Sequence, residues 1–181
     1  MGGGAGLDVN NSTALVNGGT FLGGNGGTTF DPNGFDYAAG PGLNANYAGV
    51  IIINDGNFQG GIASQSGRGG DGDAILGLGG DVSIYGGIFT GGGTTGVGID
   101  IWGGTIMLYG RNFAVDGIPT TGDITGTGTI TGTLLNDGTP TTITFANQGG
   151  TLDLVAVPEP TSLAMLLGGA ALLGLSRRRC M

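Results

Sequence analysis

The chain has 181 residues, 45 of them glycine, and a formal net charge of −8, which leaves room for one domain with a modest core and short appendages. It contains no histidine, no lysine and one cysteine, Cys180. That composition excludes Ser-His-Asp and Cys-His nucleophiles, zinc sites of imidazole or paired thiolates, Schiff-base chemistry and P-loop phosphate binding. Before residue 157 there are twelve aspartates and two arginines, Arg68 and Arg111, a net charge of −10 that repels nucleic acid and anionic lipid.

Residues 1–10, MGGGAGLDVN, lack the basic start and apolar core of a secretory signal. An exported protein needs one, so the expectation is that the chain is the C-terminal part of a longer product. Asn10-Asn11-Ser12-Thr13 contains two overlapping glycosylation sequons, which arise often by chance. A six-residue pattern then recurs: apolar, any, Gly or Asp, usually Gly, any, Phe or Ile. It reads VNGGTF from 16, INDGNF from 53, IYGGIF from 84, IWGGTI from 101 and LYGRNF from 108. Each copy follows a short β-branched and aromatic run whose alternation puts Val82 with Ile84, and Ile99 with Ile101, on one face. The glycines let the chain turn a corner, and the next apolar residue re-enters the core.

Strand, glycine corner and strand with variable loops predict an all-β fold, a Gly-rich right-handed parallel β-helix (β-solenoid) over residues 1–115. The loops after Gly23, Gly60 and Gly91 are excursions in this reading. A β-sandwich is the structural alternative. Residues 116–156 read as a short antiparallel end piece or cap, with Asn136-Asp137-Gly138 a hairpin signal between residues 130–135 and 142–145.

The position before the glycine pair is outward-facing in a solenoid and holds Asn17, Asn54, Tyr85, Trp102 and Tyr109. Tyr85, Trp102 and Tyr109 in a row can stack on sugar rings, with Asp100 on the same face as Trp102. Planar side chains also stack along a solenoid for stability alone. Gly69-Gly70-Asp71-Gly72-Asp73 approaches a calcium-binding nonapeptide but has Ala74 where an aspartate belongs, so a solvated turn is the simpler reading. Asp71, Asp73, Asp81 and Asp100 could supply the paired carboxylates of a glycosidase, although twelve scattered aspartates yield such pairs by chance. No cofactor, no metal site and no enzymatic activity are expected.

The chain closes on a tail, residues 157–181. Pro158, Glu159 and Pro160 enforce an extended segment. An apolar helix is predicted next, comprising Leu163, Ala164, Met165, Leu166, Leu167, Gly168, Gly169, Ala170, Ala171, Leu172, Leu173, Gly174 and Leu175, and it has no polar face. At about 20 Å it is short for a hydrocarbon core of about 30 Å, and reads as a transmembrane helix in transit. Arg177, Arg178 and Arg179 then form a basic anchor that stays cytoplasmic by the positive-inside rule.

Pro158-Glu159-Pro160, the apolar run and the arginine cluster, in that order, resemble the PEP-CTERM sorting signal of Gram-negative bacteria. The resemblance implies recognition by an exosortase, a membrane-embedded transpeptidase-like enzyme, transient residence in the inner membrane, and delivery to the cell surface or the extracellular space. It further implies a role in the extracellular matrix or biofilm, with exopolysaccharide as a partner, so that the Pro-Glu-Pro residues are a substrate motif and not a catalytic site. On this reading the protein is a structural component of the matrix; the alternative is a carbohydrate-binding or carbohydrate-active β-helix with the same tail.

Overall fold

The structure, a computed structural model, describes residues 2–27, 38–47, 49–63 and 70–158. The described residues are all-β, ten strands in one mixed sheet without a helix. In chain order they are β1 (Leu7–Asn10), β2 (Thr13–Leu22), β3 (Leu43–Asn46), β4 (Val50–Gln59), β5 (Ile75–Ile84), β6 (Ile88–Thr90), β7 (Ile99–Val115), β8 (Ile118–Pro119), β9 (Gly122–Leu134) and β10 (Pro140–Ala156).

Parallel pairing dominates. β1, β3, β5, β7 and β10 are successive neighbours, and Leu7, Leu43, Ile75, Ile99 and Phe145 fall in one register across them. A second ladder carries Ala14, Ile51, Val82, Ile106 and Leu152 side by side, with Val16, Ile53, Ile84, Leu108 and Leu154 two residues on. A third aligns Phe21, Phe58 and Phe89. Alternation in each strand turns these apolar positions inward. Stacking them rung on rung gives the core: Ile51, Ile53, Ile84, Ile99, Ile106 and Leu108 have no exposed surface. Each such side chain contributes about 1.5–3 kcal/mol by leaving water.

The strands run through the glycine corners, because backbone pairing resumes on the far side after a register shift, as between Val16 and Thr20 and between Gly77 and Asp81. Four of the five sequence corners stack on one another: Val16, Ile53, Ile84 and Leu108 are ladder neighbours, 37, 31 and 24 residues apart. The copy at residues 101–106 turns the preceding corner, joining the first ladder to the second within β7.

Glycine also builds a seam. Segments preceding β1, β3, β5 and β7 interleave with segments following β2, β4 and β6 through Gly24 N–H to Gly4 O (2.7 Å), Gly40 to Gly24 (2.8 Å), Gly61 to Gly40 (2.9 Å), Gly72 to Gly61 (2.9 Å), Gly92 to Gly72 (2.7 Å) and Gly96 to Gly92 (3.1 Å). The backbones approach so closely that a Cβ on Gly40, Gly60, Gly61, Gly72 or Gly92 would lie under 3.0 Å from a neighbouring backbone atom. Here glycine is required for proximity, not for turning.

At one end, β9 and β10 form the antiparallel hairpin read from Asn136-Asp137-Gly138, with Ile130 opposite Ile143. β10 also extends the parallel ladder along β7, from Phe145 opposite Ile99 to Ala156 opposite Gly110, while the end of β9 pairs antiparallel with the end of β7. β7, β9 and β10 therefore close on each other, which leaves little of that edge unpaired. The predicted apolar helix and the arginine cluster lie outside the described residues. Among the described residues no helix is long and apolar enough to cross a membrane.

Candidate functional sites

The outward residues called from the sequence divide between two corners. Asn17, Asn54, Tyr85 and Tyr109 belong to the stacked corner. Asn54 Nδ2 donates to Asn17 Oδ1 at 2.8 Å, and the Tyr85 and Tyr109 rings lie 4.5 Å apart and nearly parallel. The two tyrosines thus cover a face of each other. Burial, with the Tyr109 phenol group adding, raises the Tyr85 hydroxyl above its ordinary value. Trp102 stands apart from this pair, one corner earlier, on the outer side of the first ladder. The expected single row of three aromatics therefore resolves into a stacked tyrosine pair and a separate tryptophan, because the 101–106 pattern turns a different corner.

Trp102 is 57% exposed. Its Nε1–H donates to Asp100 Oδ2 at 2.7 Å, and Gln148 of β10 donates to the other Asp100 oxygen at 3.1 Å. Asp100 is itself buried. Two further exposed side chains lie on the strands beside β7 at this corner: Leu78, which pairs with Gly103 next to Trp102, and Tyr47, whose backbone lies beside Gly79. Neither belongs to the six-residue pattern, and only the ladder register brings them near.

Of the four aspartates considered for paired-carboxylate chemistry, the structure brings together Asp73 and Asp100. Asp73 is pushed up to about 6 by burial, against an opposing hydrogen bond from Val97 N–H (2.9 Å) and with the charge of Asp100 adding to the rise. Asp81 lies on the second ladder, between Val50 and Thr105. Asp71 is a half-buried staple: its carboxylate accepts from Ala63 N–H (2.7 Å), Thr94 N–H (2.8 Å) and both N–H and O–H of Thr95 (3.0 and 2.9 Å). Those bonds, led by that of Ala63, pull it to about 2. All of its acceptor capacity is turned toward its own loops. Among the described residues no group of three acidic or thiol side chains is placed to hold a metal ion.

The Asp73 environment makes stability depend on pH. The folded chain keeps that proton up to about pH 6, whereas the unfolded chain releases it near 3.8. Stability therefore falls as pH rises through that window, by about 1–2 kcal/mol once solvent screening is allowed for. Asp73→Asn is expected to raise the urea midpoint at pH 7 and leave it unchanged at pH 3.5, read as the difference between variant and parent.

A concavity of about 680 Å³ lies where the β9–β10 turn folds against the stacked corner, lined by Asn17, Asn54, Asp55, Ile88, Asn136 and Asp137 among others. Asp137 accepts Gly87 N–H with both oxygens (3.0 and 3.2 Å), and Asn136 Nδ2 donates to Asn54 O at 3.1 Å. Burial, with the charge of Asp55 adding, raises the Asp137 carboxyl. These bonds pin the turn to the ladder.

The tail meets the body at the last rung. Ala156, the final residue of β10, pairs with Gly110, and Val157 N–H donates to Gly110 O at 2.7 Å. Pro158 follows and cannot donate to a ladder. Glu159, Pro160 and everything after them lie outside the described residues.

Residues 156–179 match the PEP-CTERM protein-sorting motif, consistent with an exosortase substrate. The match covers the tail and none of the body before Ala156. No curated protein and no solved structure matches the chain.

Proposed function

We propose that this protein is an exported, non-enzymatic structural component of the cell surface or extracellular matrix, whose C-terminal PEP-CTERM motif hands it to an exosortase. The observation that carries the reading is the matched segment at residues 156–179, which begins where the ladder ends. The apolar run 163–175 sits in the inner membrane as a transmembrane helix during sorting, with Arg177, Arg178 and Arg179 on the cytoplasmic side. Residues 1–157 are then on the far side, where the sorting enzyme acts near Pro158-Glu159-Pro160 and the protein moves to the surface or the extracellular space.

The body is a β-solenoid in this proposal. Its support is the recurrence of three ladders in constant order and the glycine seam that returns each circuit of the chain to its start. Its hand is right, as about 98% of parallel crossovers are. A scaffold role suits a chain with no histidine and no lysine, in which Asp71 and Asp137 are spent on holding loops.

Processing is tested by mass spectrometry of the mature protein from cells with and without an exosortase. Cells with the enzyme should yield a surface form lacking the Arg177 to Arg179 peptide. Cells without it, or a Glu159→Ala variant, should accumulate the uncut chain in the membrane. An intact C-terminal peptide in the surface form would refute processing.

A further inference from the structure

The outer side of the first ladder carries an ordered pattern. Two outward lines run across its strands. Asp8, Asn44, Leu76 and Asp100 form one, and two residues further along each strand come Asn10, Asn46, Leu78 and Trp102. Asn10 and Asn46 are register partners, the register that pairs Ala45 with Gly77 sets Leu78 beside Asn46, and Leu78 pairs with Gly103 next to Trp102. Tyr47 adjoins this line, its backbone 3.7 Å from where a Cβ on Gly79 would stand. Tyr47, Leu78 and Trp102 are 67%, 39% and 57% exposed, on three consecutive rungs at one corner. With rungs about 4.8 Å apart, Tyr47 and Trp102 are about 10 Å apart along the line.

Single exposed apolar side chains are ordinary, but an aromatic, a leucine and an aromatic on adjacent rungs set out an apolar line across the strands. Trp102 is also held in place. Its indole N–H is tied to Asp100, and Asp100 is tied to Gln148, so much of the ordering cost that a binding partner would impose is already met. The strip is bordered by the amides of Asn10, Asn46 and Gln148, while buried Asp100 is engaged by Trp102 and Gln148. A partner that fits has apolar faces for the rings and leucine, and hydroxyl edges for the amides. The net charge of −10 on residues 1–156 disfavours a polyanion and a second copy of this chain alike.

We infer that the Tyr47, Leu78 and Trp102 strip is a docking line for a neutral, extended polysaccharide, lying across the strands with sugar faces on Tyr47 and Trp102. The line is separate from the sorting tail, and the stacked pair Tyr85 and Tyr109 takes no part in it.

Trp102 is the chain's only tryptophan, so its emission reports the site directly. The full chain is titrated with cellohexaose, xylohexaose and mannohexaose as neutral probes and with hexagalacturonate as the anionic one. At least one neutral probe should give a saturable change in emission, and the anionic probe should give none. Tyr47→Ala should weaken binding about tenfold with Trp102 still reporting, and Tyr85→Ala should leave it unchanged. Trp102→Ala should migrate unretarded in gels containing the neutral polysaccharide. Because Tyr47 is exposed, the urea midpoint of Tyr47→Ala should match the parent. Trp102→Ala, which takes a hydrogen bond away from buried Asp100, should unfold at a lower urea concentration but keep the parent's circular dichroism in the gel buffer. The inference is overturned by silence toward all three neutral probes, by equal binding of hexagalacturonate, or by parental affinity in Tyr47→Ala. An emission change that follows protein concentration in place of sugar would assign the strip to self-association and overturn it equally. Failure here leaves the processing result untouched, since that is read on the tail.

Discussion

A Gly72→Ala variant is expected to lose about 3 kcal/mol or more of unfolding free energy, and a Gly60→Ala, Gly72→Ala pair to fail to fold. The methyl carbon at Gly72 would run into Gly40 O and that at Gly60 into Gly72 O, both backbone atoms that cannot rotate aside. Relief requires the seam to open, which breaks the bonds that join Gly72 to Gly61 and to Gly92. Two positions earlier, a Cβ on Gly70 meets nothing within 4 Å. Gly70→Ala should therefore change stability by less than about 0.5 kcal/mol. Urea unfolding followed by circular dichroism gives both values, and equal effects at Gly70 and Gly72 would show that the seam does not bear on stability.

Phe58→Ala is expected to cost about 3–5 kcal/mol. Phe58 has no exposed surface and sits between Phe21, at 4.8 Å between ring centroids, and Phe89, at 5.4 Å. Its removal leaves a cavity in the middle of the third ladder and breaks two ring contacts at once. Phe21 ends the stack and is only partly buried, so Phe21→Ala should cost less than half as much. The same urea series reads the difference. Similar losses at both positions would mean that the third ladder is looser than its ring geometry indicates.

The inward and outward faces were legible where apolar and polar residues alternate, as in 82–85, and not in the uniformly apolar run 50–53, where only pairing shows that Ile51 and Ile53 face in. So was the hairpin at Asn136-Asp137-Gly138, where Gly138 has φ +69° as the turn requires. The glycine corners were legible as corners. Their assignment to rungs was not, because the spacings of 17 and 7 residues mix two different corners, and only pairing separates the 101–106 copy from the 24-residue step between Ile84 and Leu108. The seam was invisible for a different reason. A glycine needed for close approach reads the same as one needed for a turn until its neighbour, often more than ten residues away, is known. Trp102 and Asp100 were legible as a pair on one strand. Tyr47 and Leu78 became their neighbours only through register.

The bond from Val157 to Gly110 has a mechanical consequence. A pull applied at Pro158 runs along the axis of β10, whose hydrogen bonds to β7 and β9 lie across that axis. The load is then shared in shear by pairs from Phe145 to Ala156 and is not taken one bond at a time, as it would be if the chain peeled away sideways. A tether at this terminus grips the body by one of its two longest strands, each of 17 residues.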